Sequence, residues 1–451
     1  MYDINLIHKF YLNDKYVILD IYSGAVHVVD EIVYDLVDYM SKGLDEALNG
    51  LSNKYEACDI KTAFKEVEEL HKEGLLFTEP IKETELDLSK YNIVKALCLH
   101  VSHDCNLRCK YCFASQGDFK GKRELMSVEV GKKALDFLVQ NSGNRRNLEV
   151  DFFGGEPLMN FDVVKELVTY GRSLEKEYDK NFRFTLTTNC VLLDDEIIDY
   201  LNENMSNVVL SIDGRKSVND EMRPTTNGKG SYDLIVPKIK RFVEKRGDKD
   251  YYIRGTFTSE NLDFSEDVLD FYNNGFKKTS MEPVVTDQNE PYAIRPEHVE
   301  RIKEEYEKLS REYIKIKKKD DDFLFFHFMI DLDQGPCLIK RSIGCGAGCE
   351  YLAVTPKGDL YPCHQFVGEE QFKIGTVFDG VTKTDLREEF KKSNVFNKKD
   401  CQECWAKFYC SGGCHANSYY NTGNINGNFE IGCELERKRI ECAISVIANL
   451  D

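Results

Sequence analysis

Short apolar runs alternate with amphipathic helical stretches through most of the middle of the chain. Strands are predicted at residues 97–101, 148–153, 182–188, 208–212, 251–257 and 279–282. Helices with three- and four-residue apolar spacing are predicted between them, at residues 128–140, 162–176, 195–204, 234–245 and 264–272. This alternation predicts a parallel sheet with helical crossovers. The fold class is therefore α/β, a partial (β/α)6 TIM-like barrel with reactive groups at the carboxyl ends of its strands.

The chain on either side of this region has a different pattern. Residues 1–80 contain two β-branched runs, 16–19 and 26–29, joined by a turn and followed by helical spacing in residues 32–40 and 60–70. This order predicts a separate winged-helix-like unit. Residues 81–91 are polar and are predicted to be a linker. The barrel is then assigned to residues 92–320, and a Cys- and Gly-rich unit to residues 321–451.

Charge and cysteine content narrow the function. Lys and Arg number 60 against 78 Asp and Glu, a net charge of −18 that argues against nucleic-acid binding. The N-terminus has no signal-peptide pattern, and no apolar run reaches membrane-spanning length. Sixteen cysteines without an export signal indicate reduced thiols that act as metal ligands. We expect a cytoplasmic protein of an oxygen-poor cell, with no membrane or nucleic-acid partner.

The densest cysteine group directly follows the first predicted barrel strand. Cys105, Cys109 and Cys112 form a C-x3-C-x2-C array, and no fourth cysteine follows before Cys190, as a zinc site would require. Three thiolates on a [4Fe–4S] cluster leave one iron free for a small molecule. With Tyr111 and Phe113 around the third cysteine, the array resembles the signature of the radical S-adenosylmethionine (SAM) enzymes. A degenerate zinc loop is the alternative.

Further residues at predicted strand ends resemble the SAM contacts of that family. A Gly-Gly-Glu-Pro segment ends the second strand, and its carboxylate could accept from the SAM ammonium group. Hydroxyl, amide and carboxylate side chains end the third and fourth strands, where they could equally be simple strand-end caps. The resemblance implies a SAM site at Tyr111, Phe113, Gly154, Gly155, Glu156, Pro157, Thr188, Asn189, Ser211, Asp213 and Arg223.

The C-terminal cysteines have a long and specific spacing. Its core, C-x2-C-x5-C-x3-C, begins at Cys401. The order resembles the SPASM domain, which holds two auxiliary [4Fe–4S] clusters; a pair of zinc ribbons is the alternative. The resemblance implies an outer cluster on Cys401, Cys404, Cys410 and Cys433, and an inner cluster on Cys345, Cys363 and Cys414. Cys349 either closes the inner cluster or leaves its fourth iron open to a substrate thiolate.

The cysteines outside these groups are expected to be small buried hydrophobes: Cys58, Cys98, Cys190 and Cys442. The role of Cys337 is open. His364, next to a predicted cluster cysteine, is expected to be a supporting hydrogen-bond partner and not a general base. Trp405, Phe408 and Tyr409 are expected to shield the outer cluster.

Together these resemblances cover nearly the whole chain and imply a peptide maturase. They are strongest to the thioether synthases of six-cysteine, SCIFF-type precursor peptides among the sactipeptide and ranthipeptide enzymes. The implied cofactors are SAM and three [4Fe–4S] clusters, and the cluster of the cysteine loop would reduce SAM to a 5′-deoxyadenosyl radical that abstracts a substrate hydrogen. The substrate radical would then attack a peptide Cys sulfur bound to an auxiliary cluster. That cluster would take up the remaining electron. The peptide would bind through its leader, added to a strand of the N-terminal unit. A flavodoxin or ferredoxin would supply electrons.

Three other functions stay open on the sequence. One is another SPASM outcome, either a sulfatase-maturating oxidase or a carbon–carbon crosslinker; sulfatase maturases are expected to lack the N-terminal eighty residues. The second is a non-catalytic iron–sulfur electron carrier, and the third is a zinc-stapled binding protein. Formation of 5′-deoxyadenosine separates the first from the other two, and metal and sulfide analysis identifies the third.

Overall fold

The computed structural model describes residues 2–83, 93–332 and 338–450. Most of the predicted linker, residues 84–91, and Cys337 lie outside the described residues. Within those three ranges, no helix is both long and apolar enough to cross a lipid bilayer.

The N-terminal unit is a three-stranded antiparallel sheet with helices on one face. Its elements are β1 (Ile7–Leu12), β2 (Lys15–Asp20), β3 (Val26–Val29), α1 (Glu31–Leu36), α2 (Leu44–Leu51) and α3 (Ala57–Lys72). The sequence pattern identified β2 and β3 but missed β1 and α2. Cys58, at the start of α3, is exposed, so the prediction that it is buried was wrong. A strand order of β1-β2-β3 leaves β3 as an outer strand.

This sheet buries both of its faces. One face packs on the unit's own helices, with Ile7 and Ile18 in that core. The other face joins the main hydrophobic core of the protein through Phe10, Val17 and Leu19. Strands buried on two sides gain hydrophobic stabilisation from both contacts. The unit is therefore packed onto the rest of the chain and is not isolated from it.

Strand–helix units follow in the predicted order and form a parallel sheet. The elements are β4 (Ala96–Ser102), α4 (Val128–Asn141), β5 (Asn147–Gly154), α5 (Phe161–Tyr178), β6 (Asn181–Thr188), α6 (Asp195–Asn204), β7 (Asn207–Ser211), α7 (Lys216–Met222), α8 (Tyr232–Arg246), β8 (Tyr252–Phe257), α9 (Phe264–Asn273), β9 (Lys278–Pro283), α10 (Val299–Lys317) and β10 (Leu324–Phe325). Each neighbouring pair from β4 to β10 is parallel. The predicted α/β class with a large parallel sheet is confirmed.

The sheet has one apolar and one polar face. Along β5, Leu148, Val150 and Phe152 are buried, while the intervening positions keep some exposure. The buried positions pack under the helices, and the alternate ones line the concave face, which we call the lumen. Alternation on a parallel strand departs from the continuous apolar pattern expected when both faces are buried. The departure marks a lumen that can admit polar groups.

The C-terminal region extends the same sheet. Its elements are α11 (Leu338–Ile343), β11 (Tyr351–Val354), β12 (Asp359–Tyr361), β13 (Gly375–Thr376), β14 (Gly380–Val381), α12 (Thr384–Lys392), α13 (Lys399–Gln402), α14 (Lys407–Cys410), α15 (His415–Thr422) and α16 (Glu430–Leu450). β11 pairs in parallel with β4, and β12 to β14 continue antiparallel. The sheet order runs β10-β9-β8-β7-β6-β5-β4-β11-β12-β13-β14. The cysteine-rich region is thereby attached to the strand that precedes the first cysteine loop.

Candidate active site at the strand ends

The loop that carries Cys105, Cys109 and Cys112 leaves the carboxyl end of β4, where a barrel of this class places its chemistry. Its backbone is tied to the segment after α7: the N–H of Arg108 donates to Pro224 O at 2.8 Å, and that of Lys110 to Met222 O at 2.9 Å. These bonds hold the loop over the ends of β4 to β7.

The three thiols lie close enough to act on one another electrostatically. Burial, with Cys112 as a smaller cause, raises the pKa of Cys105 to about 11, and burial together with Cys112 and Cys105 raises that of Cys109 to about 12. Burial also raises the pKa of Cys112, while backbone N–H donors from residues 114, 116 and 117 lower it. Arg223 lowers the pKa of all three. A buried thiol trio beside a cation and N–H donors suits an anionic cluster, since metal binding deprotonates each thiol.

The two glycines of the Gly-Gly-Glu-Pro segment bring β5 against this loop. Gly154 has a φ of +124°, and a Cβ there would lie 2.2 Å from Ser102 O. A Cβ on Gly155 would lie 2.2 Å from Asp104 O. The N–H of Gly155 also donates to Ser102 O at 2.8 Å. The close approach that these glycines permit is therefore to the cysteine-loop backbone.

Glu156 joins the ends of two strands. It is fully buried, and its carboxylate accepts from Thr188 Oγ1 at 2.8 Å, Asn189 N at 2.8 Å and Leu158 N at 3.1 Å. Burial raises the pKa of Glu156 to about 7, against these donors, which lower it. Pro157, which is also buried, begins the short helix that follows. The prediction that Glu156 meets a ligand ammonium stays a prediction, because in this structure its oxygens bind the chain itself.

Asn189 links the third predicted strand end to the cysteine loop. Its Nδ2 donates to Asn106 Oδ1 at 2.7 Å and lies 3.6 Å from Cys105 Sγ. Leu107 N lies 3.5 Å from the same sulfur. Donors to a cysteine sulfur are one means by which a protein tunes a cluster. Asn189 thus lies at the cysteine group, whereas Thr188 supports Glu156.

Tyr111, Asp213 and Arg223 form a buried polar group behind the loop. The Tyr111 hydroxyl lies 2.7 and 2.9 Å from the two carboxylate oxygens of Asp213, and Arg223 Nη1 donates to that hydroxyl at 2.9 Å. Arg223 Nη2 reaches Ser211 O at 3.2 Å. The Arg223 Nε is buried and has no hydrogen-bond partner among the described residues. The guanidinium therefore retains one donor for an anionic group that enters beside Ser211.

The lumen holds a cavity that the sequence did not reveal. Its volume is about 250 Å³, and its walls come from β4 to β8, β11 and His364. Asp151 on β5 and Arg254 on β8 both line it. Burial raises the pKa of Asp151 to about 6, while Thr185 and Arg254 lower it. The sequence feature that could have indicated this cavity is the placement of polar residues at alternate positions of the apolar strands. Periodicity alone does not tell which strands face each other across a barrel.

His364 joins this cavity to the cysteine loop. Its ring centroid lies 5.4 Å from that of Phe113 and 5.2 Å from that of Phe153, and its Nδ1 is 3.1 Å from the Tyr351 hydroxyl. Burial lowers the pKa of His364 to about 4. A neutral ring that packs on aromatic side chains fits the supporting role that the sequence predicts.

The C-terminal cysteines fall into two groups. In the first, the thiols of Cys401 and Cys404 raise the pKa of both Cys410 and Cys433. In the second, Cys345 and Cys414 raise the pKa of Cys363. We call these the outer and inner groups, the second being next to His364. The division is the one that the SPASM resemblance implies, and the ligand assignment stays a prediction.

Cys349 lies against α12. It is buried, and its Sγ lies 3.9 Å from Arg387 O on α12. Burial raises the pKa of Cys349 to about 11, while Arg387 and Lys391 of α12 lower it. The thiol of Cys349 therefore faces a helix.

In the described part of the chain, no three His, Cys, Asp or Glu side chains converge closely enough to hold a single metal ion. A cubane cluster binds one thiolate at each iron and so holds its cysteines further apart than one ion does.

A parallel α/β barrel with three partly buried thiols in the loop after one strand is typical of iron–sulfur enzymes that activate SAM. The profile of the Radical SAM superfamily matches residues 99–269. An uncharacterized protein of Methanocaldococcus jannaschii is 30% identical over 226 residues, which cover 50% of this chain and 74% of the relative. The chain belongs to the Radical SAM superfamily. Membership implies SAM and a [4Fe–4S] cluster. The three thiols of the cysteine loop fit the cluster, and the unpartnered Nε of Arg223 fits an anionic group of SAM.

Two relatives with assigned functions cover more of the chain. A cysteine-type anaerobic sulfatase-maturating enzyme of Clostridium novyi is 25% identical over 364 residues, 76% of this chain and 93% of the relative. The radical SAM cyclopropyl synthase TigE of Paramaledivibacter caminithermalis is 21% identical over 459 residues, 95% of this chain and 92% of the relative.

Solved structures share the fold at lower identity. The structure of anSMEcpe with bound AdoMet matches with a TM-score of 0.65 and 20% identity, and it covers 79% of this chain and 98% of that one. Streptococcus suis SuiB bound to precursor peptide SuiA matches with a TM-score of 0.54 and 18% identity, over 94% of this chain and 97% of that one. The chain is thus a radical SAM enzyme related to peptide and protein maturases.

Proposed function

We propose that this enzyme forms intramolecular Cys thioether crosslinks in a ribosomally made precursor peptide. The observation that carries the proposal is the position of the inner group: Cys363 is followed directly by His364, which lines the lumen cavity. A peptide thiol held at the inner group would lie beside the peptide carbon in the lumen. When bound, SAM and its cluster supply the radical chemistry that abstracts hydrogen. The chain's own residues position the peptide and exclude water.

The lumen suits a peptide segment with polar groups. Arg254 offers donors and Asp151 offers an acceptor to the same cavity, so that backbone or side-chain polar groups can be paired when they leave water. The relatives support a peptide substrate: SuiB is bound to a precursor peptide, and anSMEcpe is bound to the Cp18Cys peptide. A leader held at the N-terminal unit would deliver the modified segment, and a flavodoxin or ferredoxin is the proposed reductant.

The outer edge of β3 is the proposed leader site. Asp20 N donates to Ala25 O at 2.9 Å, so the hydrogen-bonded pairs of β2 and β3 are counted from this pair. Hydrogen-bonded pairs alternate along antiparallel strands. His27 and Val29 therefore face β2, whereas Val26 and Val28 direct their N–H and C=O groups outward. The Val28 side chain is 49% exposed. An extended leader could add to this edge through main-chain bonds.

We expect Val28→Pro to weaken leader binding about fivefold, because it removes one outward N–H and one hydrogen bond contributes about 1 kcal/mol. The β2–β3 ladder should survive, since proline is tolerated on the open side of an edge strand. Fluorescence anisotropy of a labelled leader peptide measures the dissociation constant. Val28→Ala, which keeps the N–H, is the matched control. Equal affinities for the two variants would exclude β3 as the leader strand.

The contact of the Cys349 thiol with α12 supports an inner cluster whose fourth iron is open. We expect Cys349→Ser to retain the wild-type iron and sulfide content, because its thiol lies against Arg387 O of α12. Cys363→Ala, the comparison variant, should lose about four irons per chain. Iron and acid-labile sulfide analysis after anaerobic reconstitution makes the measurement. A loss of about four irons from Cys349→Ser would instead identify Cys349 as the fourth ligand.

The proposed function is tested with the reconstituted wild-type enzyme. SAM, dithionite and a Cys-rich precursor peptide are added without oxygen, and mass spectrometry follows 5′-deoxyadenosine and the peptide. We expect a loss of two hydrogens for each crosslink, and alkylation of the peptide cysteines should prevent it. Deoxyadenosine with an unchanged precursor peptide would overturn this substrate assignment.

A sulfatase-maturating activity is the second candidate, favoured by the match to the Clostridium novyi enzyme over 93% of its length. Incubation with a sulfatase-derived Cys peptide separates the two functions. Oxidation of its cysteine without crosslinking would support the second candidate. The carbon–carbon crosslinker would remove two hydrogens from a precursor peptide even after its cysteines are alkylated. An electron carrier would form no deoxyadenosine with any peptide, and a zinc-stapled binding protein would also load zinc in place of iron.

A further inference from the structure

A buried lysine lies between the two C-terminal cysteine groups. Lys398 precedes α13 and is 1% exposed. Its Nζ donates to Gly412 O at 2.8 Å, in the segment that separates Cys410 from Cys414. Among the described residues, no carboxylate forms an ion pair with it. Burying an ammonium group without a nearby anion costs desolvation free energy, so a compensating negative charge is expected near Lys398.

The groups that act on Lys398 are cysteine thiols. Burial lowers its pKa, whereas four cysteines raise it: Cys401, Cys410 and Cys433 of the outer group and Cys414 of the inner group. The effect is mutual, since Lys398 lowers the pKa of both Cys401 and Cys414. The ammonium is therefore near the ligands proposed for both auxiliary clusters.

The second buried lysine nearby has a different environment. Lys407 donates to the Tyr22 hydroxyl at 2.7 Å and to Gln402 O at 2.8 Å, and its Nζ lies over the Tyr22 ring. Lys407 thus binds the N-terminal unit through Tyr22, and it also lowers the pKa of Cys401 in the outer group. Lys398 is the lysine whose charge meets both cysteine groups.

Thiolate-ligated clusters carry net negative charge and gain more on reduction. A cation fixed in a buried site stabilises the reduced form more than the oxidised form, and net charge is one determinant of cluster potential. We propose that Lys398 is a shared counter-charge that raises the reduction potentials of both auxiliary clusters. The proposal rests on the two clusters of the proposed function. It makes Lys398 a positioning residue for electron uptake and not a catalytic one.

The test compares Lys398→Met, which keeps the length of the side chain without its charge, with Lys399→Met. Lys399 is the next residue and is exposed. Potentiometric titrations of the reconstituted holoenzymes are followed by electron paramagnetic resonance. In Lys398→Met we expect both auxiliary potentials to become more negative while that of the SAM-binding cluster stays unchanged. Lys399→Met should match the wild type. Unchanged auxiliary potentials in a fully loaded Lys398→Met would overturn the proposal.

Thermal unfolding of the metal-free chains provides a second measurement that does not depend on loading. Without clusters the ammonium lacks a counter-charge, so metal-free Lys398→Met should unfold at a higher temperature than the wild type. A lower temperature would mean that Lys398 acts as a structural donor to Gly412, and the proposal would be wrong. If the wild type itself loads only one cluster, the two-cluster assignment fails, which is a different result from unchanged potentials.

Discussion

Replacing Cys105, Cys109 and Cys112 together with alanine should abolish cleavage of SAM to 5′-deoxyadenosine. The three thiols meet in one buried loop whose backbone is fixed by residues 222 and 224, and SAM chemistry requires the cluster that they hold. Chromatographic quantification of 5′-deoxyadenosine with dithionite as reductant makes the measurement. The iron content should fall by about four per chain.

Cys58→Ala is the matched control for this loss, because Cys58 is an exposed cysteine remote in sequence from the three cysteine groups. It should cleave SAM at the wild-type rate. Circular dichroism of the triple variant checks that the barrel still folds. If a folded triple variant still formed 5′-deoxyadenosine, the assignment of the cysteine loop would be wrong.

Replacing Cys363 alone should separate SAM cleavage from crosslinking. Cys363→Ala removes one thiol of the inner group but leaves the cysteine loop and the Arg223 network intact. We expect crosslinked peptide to fall by more than roughly a hundredfold, since even outer partners of a metal site contribute tenfold to a hundredfold. Deoxyadenosine formation should continue. Both products are measured by mass spectrometry in one reaction.

The contrary outcome is as informative for this variant. If Cys363→Ala made crosslinked peptide at the wild-type rate, the inner group would have no part in binding the peptide thiol. If it lost both products while keeping about eight irons per chain, the defect would have spread to the barrel, because β11 and β4 are paired neighbours. Cys349→Ser is the comparison variant: it also removes one thiol of the C-terminal region, and we expect it to retain all its iron.

The N-terminal unit contacts the segment that carries the outer group. The His8 and Trp405 rings stack with centroids 3.7 Å apart and planes within 1°. Tyr22, in the turn between β2 and β3, meets Lys407 and the Phe408 ring. Trp405 and Phe408, which the sequence assigned to shielding of the outer cluster, thus contact the N-terminal unit, and the shielding role stays a prediction.

Local patterns determined most of the barrel from the sequence alone. Predicted and observed bounds agree within about two residues for the helices and strands from β5 to α9 other than α7, which was not predicted, because a buried face imposes a period of 2.0 or 3.6 on the sequence itself. The cysteine loop was also readable, since all three of its thiols lie within eight residues. β1 and α2 were missed, because a short two-sided strand and a short polar helix leave weak periodic signals.

The tertiary structure decided what depends on distant parts of the chain meeting. Arg223 reaches the cysteine loop from 111 residues away, measured to Cys112. Asp151 and Arg254 share the lumen only because the register of five parallel strands brings β5 and β8 around one cavity. The direction of the Cys349 thiol was undetermined until α12 was placed beside it. Spacing along the chain fixes which ligands are available, whereas packing fixes which way each one points and how much charge surrounds it.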